Sequence, residues 1–115
     1  MNFGNLTDFQ INWLVLQIKS GKKPLNYPHN ADGRSVGIRD VNDNYHWYDF
    51  CNDWADAGPI IAANLIGIKP VPLFVGGHRW FASKGEGYSV PKAADNNPLR
   101  AAMIVFLMTQ EKENG

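Results

Sequence analysis

The stretch from Asn97 to Met108, NPLRAAMIVFLM, decides how this chain must fold. Asn97 is a good helix cap, because its side-chain oxygen accepts a free backbone N–H of the first turn. Pro98 suits the first helical position, where the missing N–H would have had no partner anyway. From Ala101 to Met108 every residue is apolar. A surface helix shows one apolar stripe, whereas a helix apolar all round for two turns must be covered on most sides. Either a sheet and another helix enclose it, or part of it pairs with a second copy of the chain. Enclosure is the simpler expectation; a homodimer is the alternative.

A helix to help enclose it lies near the other end of the chain. In LTDFQINWLVLQIKSGKKP (6–24), Thr7 is placed to cap and Gln10 to complete a capping box. Asp8 complements the helix dipole in the first turn. Ile11, Leu14, Val15 and Ile18 fall on one helical face, widened by Phe9, Trp13 and Leu16. Gly21 and Pro24 mark the stop.

Between these helices the patterns are those of turns and short strands. Residues 26–44 are rich in Asn, Asp, Gly and Pro, with Asp32-Gly33 and Asp43-Asn44 as turn signals. Val36 and Ile38 alternate with polar neighbours, and NYHWYDF (44–50) is a second strand candidate. Asn52 to Ala57 reads as a turn or short separate helix, and Pro59 to about Leu65 as a short helix entered through Gly58. Val71, Leu73 and Val75 alternate up to Gly76-Gly77, with Trp80 and Ala82 beyond, as in a hairpin turning at the two glycines. Pro70 and Pro72 make its first arm an edge. Lys84 to Gly87 is a loop. The sum is a single α+β domain over 1–115: a small, mostly antiparallel sheet packed against N- and C-terminal helices, with a short middle helix.

Composition narrows the function. Apolar residues are 44% and charged residues 19% of the chain, the balance of a folded globular domain. Eleven basic and eleven acidic residues cancel, so the clustered positive charge that nucleic-acid binding requires is missing and no nucleic-acid partner is expected. Lys19, Lys22 and Lys23 are the local exception, read as a solvated helix end. One cysteine, Cys51, rules out an internal disulfide and suits a reducing cytoplasm. MNFGNLTDF carries no basic region followed by an apolar run, so no leader is expected. The longest apolar run is far short of a membrane span.

The stretch YDFCNDWADAGPII (48–61) concentrates rings, carboxylates and amides. Asp53 and Asp56, three apart, would share a helical face as an acid/base pair does. Asp and Asn at a helix entry equally serve as caps for backbone N–H groups, and that reading needs nothing else. Cys51 with His29, His46 and His78 offers metal-ligand types without metal-ligand spacing. Ser20, Ser35, Ser83 and Ser89 lie at helix ends or in loops, outside any nucleophile elbow. GGHRW lacks the length and the Lys-Ser/Thr ending of a phosphate loop. No enzyme signature and no cofactor motif remains.

The surplus is aromatic: four Trp, four Tyr and six Phe. Rings with Arg side chains can clamp a planar anion by stacking and bidentate hydrogen bonds. Trp47, Trp54, Asp56, Arg79 and Trp80 are the candidate pocket residues. The competing reading makes the rings core and rim.

Four segments taken together, LTDFQIN, CNDWADAGPII, RWFA and NPLRAAMIVFLM, resemble the NinX-like family of phage proteins from Leu6 to about Met108. The pieces around Trp54–Ile61 and Pro98–Met103 are the distinctive ones. Two departures stand out: Lys69 to Gly77 is more apolar and Pro-rich than in the typical member, and Met103-Ile104 stands where some members carry Arg. The resemblance implies an accessory role in phage biology and supplies no catalytic residues. The resulting expectation is a non-enzymatic phage accessory protein of the host cytoplasm, working by binding. Its partner would be a small nucleotide-like ligand sequestered against host defence, or a host or phage replication or recombination protein held by the apolar PVPLF segment (70–74).

Overall fold

The computed structural model describes residues 2–28 and 31–114. A single turn of 3-10 helix, Phe3–Asn5, leads into helix α1 (Asp8–Ser20). Strands β1 (Val36–Arg39) and β2 (Tyr45–Tyr48) follow, then helix α2 (Trp54–Ala63). Strands β3 (Gly67–Pro72), β4 (His78–Ser83) and β5 (Lys92–Asp95) precede helix α3 (Pro98–Asn114). The architecture is α+β, with all strand pairs antiparallel.

Helix α3 is the axis of the structure. Asn97 Oδ1 accepts the N–H groups of Leu99 and Arg100 at 2.9 and 3.2 Å, so the expected cap is in place. Ala101 to Leu107 are all buried. Their cover comes from within the chain: α1, α2, β3, β4 and β5 all pack on α3. Ala82 and Ala93, paired across β4 and β5, bring small side chains to the sheet face that meets α3. Each buried Met, Ile, Val, Phe or Leu contributes about 1.5–3 kcal/mol, offset by the conformational entropy lost on ordering the chain.

In α1 the capping box is complete. Thr7 Oγ1 accepts the Gln10 N–H at 3.1 Å, and Gln10 Oε1 accepts the Thr7 N–H at 2.8 Å. Gly21 ends the helix at φ 70°, a conformation that costs a side-chain-bearing residue more. The buried stripe differs from the apolar pattern at two places. Ile18 is 39% exposed, and Asn12 is fully buried beside Ile11, Val15 and Leu16.

Strands β1 and β2 pair from Val36–Tyr48 to Arg39–Tyr45. Their turn is built by Asp40, whose Oδ1 accepts the N–H groups of Asn42 and Asn44 at 2.8 and 3.0 Å. The second sheet runs in the order β3-β4-β5. This leaves β3, with Pro70 and Pro72, at an edge, where a missing donor is tolerated.

Two expectations need correction, and one strand was not foreseen. Helix α2 begins at Trp54 and runs through Pro59 at its sixth position, instead of starting there. Asp53 caps it, Oδ1 accepting the Ala55 N–H at 2.8 Å, and the burial of Ala57 and Ile60 offsets the hydrogen bond Pro59 cannot donate. The β3–β4 turn spans the five residues from Leu73 to Gly77, closed by Leu73 N–H to Gly77 C=O at 3.0 Å. Leu73 and Val75 are thus turn residues and not strand residues. Strand β5, Lys-Ala-Ala-Asp, has no β-forming side chain and exists through its pairing with β4.

Candidate functional site

The polar stretch between Asp49 and Asp56 is a junction that ties the three helices together. Asp49 Oδ1 accepts from the side-chain amides of Asn12 at 2.9 Å and Asn52 at 3.0 Å, and Oδ2 from Arg34 Nε at 3.1 Å. Asn12 also donates to the Arg34 carbonyl at 2.9 Å and accepts the Cys51 N–H at 3.0 Å. Asn97 donates to the Cys51 carbonyl at 2.7 Å, and Asn52 to Asp8 at 3.0 Å. Asp56 Oδ2 accepts the Asp49 N–H at 2.9 Å. Among the described residues no buried side-chain nitrogen or oxygen lacks a partner. Asp53 and Asp56 therefore serve the main chain at the head of α2.

Burial raises the Asp56 carboxyl above its ordinary value, with the Asp49 N–H opposing. It lines a cleft of about 330 Å³ with Lys19, Tyr48, Phe50 and Pro59. Cys51 is fully buried, and desolvation pushes its thiol far up, which makes it unreactive. His46 Nε2 lies 2.8 Å from Asp40 Oδ2, and this contact holds the Asp40 carboxyl below its usual range. Among the described residues no three His, Cys, Asp or Glu side chains gather as a metal cluster; His29 lies outside those residues.

The other residues named from the sequence are dispersed. Trp54 opens α2 and is 58% exposed. Arg79 and Trp80 are consecutive on β4, where successive side chains alternate between the two faces of the sheet. Trp47, on the other sheet, lies over Gly37, where an added Cβ would meet the indole at 2.1 Å. Its ring stacks on Tyr45 at 6.2 Å and 13°.

Beside that stack is a cleft the sequence did not disclose. Lys22, Lys23, Leu25, Ile38, Arg39 and Tyr45 line about 350 Å³. The Leu25 N–H donates to the Gly37 carbonyl at 2.9 Å, which lays the lysine segment along β1. Lys22 and Lys23 read as a solvated helix end because Arg39 is far away in the sequence. Arg39 reaches the cleft through its pairing with Tyr45 across the hairpin, which only the folded chain shows.

Comparison with known families decides the kinship. A family model described as Bacteriophage P22, NinX matches residues 2–110. The chain belongs to this family. A search of curated proteins finds no match. The two segments most distinctive of the NinX resemblance form α2 and the start of α3, which pack on each other. The apolar turn of the β3–β4 hairpin lies at the surface: Leu73 is 41% exposed, Val75 91%, and Phe74 fully. No described helix is long and apolar enough to cross a membrane.

Proposed function

We propose that this phage accessory protein works by binding rather than catalysis, and that the tip of the β3–β4 hairpin is the surface it presents to a protein partner in the host cytoplasm. The carrying observation is the run Leu73-Phe74-Val75, three consecutive large apolar residues exposed at the end of a hairpin. A run of this kind is disfavoured on a solvated turn unless something covers it. Gly76 and Gly77, at φ 100° and 78°, let the turn close behind it. From Gly67 to Gly85 the chain carries Lys69, Arg79 and Lys84 and no Asp or Glu. The fitting partner has an apolar pocket, able to take Phe74, inside an acidic rim. In this family setting that partner is a host or phage protein such as a replication or recombination factor.

Affinity capture from host lysate with the wild type, Leu73→Asp and Phe74→Asp tests the reading. A protein retained by the wild type and lost with both variants, at unchanged melting temperature, supports it. Equal retention by all three sinks it. If light scattering shows a dimer that Phe74→Asp dissolves, the tip serves self-association instead.

A second binding reading, capture of a small nucleotide-like ligand that blunts a host defence, draws support from a different place than the five residues named in the sequence. The cleft of Lys22, Lys23, Arg39 and Tyr45 puts three cations and a ring on one small cavity.

A further inference from the structure

We infer that the cleft between the Lys22–Leu25 segment and the β1–β2 hairpin binds a mononucleotide, its phosphate held by Lys22, Lys23 and Arg39 and its base laid on Tyr45. The inference rests on the small-ligand reading and is independent of the hairpin tip. Its first support is charge. Three cationic residues line the cavity, and among the described residues no carboxylate does. Arg39 has a partner, Asp43, at 3.5 Å, but both side chains are largely exposed, at 59% and 82%. An exposed pair of that kind is worth little and yields readily to a phosphate, which a guanidinium holds through two parallel hydrogen bonds. The neighbouring carboxylate, Asp40, is already engaged by Asn42, Asn44 and His46. A phosphate placed in the cleft is attracted by all three cations at once.

The second support is the ring. Tyr45 is about half exposed and is backed by the near-parallel indole of Trp47. Trp47 is seated in turn by the absence of a side chain at Gly37. The stack is thus built from the strand upward and presents a phenol face of fixed orientation. The antiparallel register places Arg39 directly across from Tyr45, so a group held by the guanidinium has a ring beside it. Leu25 and Ile38 give the cavity an apolar portion suited to a base and ribose. Its volume of about 350 Å³ lies at the small end of ligand pockets, the size of one nucleotide. A polynucleotide requires a longer track of cations than these three.

Isothermal titration with AMP, GMP and UMP tests the inference, with pyrophosphate, adenosine and a ten-nucleotide single strand as comparison probes. At least one mononucleotide should bind with a Kd of about 100 μM or tighter. The Lys22→Ala, Lys23→Ala double variant should weaken it about tenfold or more, as should Tyr45→Ala, while Tyr45→Phe keeps the affinity. All these side chains are exposed or partly so, and unchanged melting temperatures will show that the variants fold. Pyrophosphate binding as tightly as AMP, with Tyr45→Ala silent, overturns the mononucleotide inference and leaves a small-anion site standing. A single strand binding more than about tenfold tighter than any mononucleotide also overturns it. No binding by any probe overturns both this inference and the small-ligand reading at this cleft.

Discussion

The guanidinium of Arg100 and the carboxylate of Asp8, 92 positions apart in the chain, meet at 2.7 Å and join the head of α3 to the head of α1. The same guanidinium reaches Asp95 Oδ2 at 3.1 Å and the carbonyls of Gly4 and Leu6 at 3.1 and 2.6 Å. A single planar fork thus ties α3 to the 3-10 turn, α1 and β5.

Arg100→Ala should lower the unfolding free energy by about 3 kcal/mol, because it leaves two partly buried carboxylates without their cation. Arg100→Lys should recover only part of the loss, since an ammonium cannot span the four acceptors. Urea unfolding measures both. A loss within experimental error of zero for Arg100→Ala would show the cluster to be ornamental.

Asn12 is the buried hub on α1. Asn12→Ala strands the Cys51 N–H and the Arg34 carbonyl and removes one donor from Asp49. The expected cost is about 3 kcal/mol, read as a lowered urea midpoint with an unchanged slope.

Gly37→Ala should damage the β1–β2 hairpin specifically. The new methyl would fall 2.1 Å from the Trp47 ring, so the indole must leave its seat. The expected loss is about 2 kcal/mol, with a shift in tryptophan emission and weakened mononucleotide binding. Unaltered emission would contradict the packing of Trp47 on this glycine.

The pH dependence of Asp56 has a definite sign. Its folded-state value is raised, so the folded protein binds more protons in the window above the unfolded value. Stability from this group is present below the unfolded value and is lost as pH rises through the folded one. Asp56→Asn lacks that loss and can still accept the Asp49 N–H. The stability of the variant relative to wild type should therefore increase from acid to neutral pH. A relative stability that falls across that range would reverse the assignment. Asp32 and Asp40 act oppositely: backbone N–H groups of Arg34 and Ser35 hold Asp32 low, and His46 with Asn44 holds Asp40 low. Their contributions disappear as pH drops through the carboxylate range.

Cys51 should resist a thiol reagent in the native protein and react fully in urea, because burial both blocks access and disfavours the thiolate. Rapid labelling of the folded chain would mean that the junction between β2 and α2 opens readily.

The sequence by itself determined α1, α3, the β3–β4 hairpin, two strand candidates ahead of α2 and the need to cover α3. Thr7 with Gln10, Asn97 with Pro98, and the glycines of the turns act on backbone groups within four residues of themselves. Their effect is legible without knowing what lies across the fold. Tertiary structure decided the rest. Helix α2 passes through Pro59 because Ala57 and Ile60 find a buried place, and Lys-Ala-Ala-Asp becomes a strand because β4 offers a free edge. Asn12 turns inward because Asp49 and Cys51, 37 and 39 residues away, supply its partners. The site followed the same division. Asp56 was legible as a helix-entry carboxylate, whereas the basic cleft exists only where the β1–β2 hairpin brings Arg39 and Tyr45 up to the lysine pair. Capping and turn chemistry are short-range and written locally; hydrogen-bond hubs, edge pairing and charge convergence join residues distant in sequence, and only the folded chain brings them within reach.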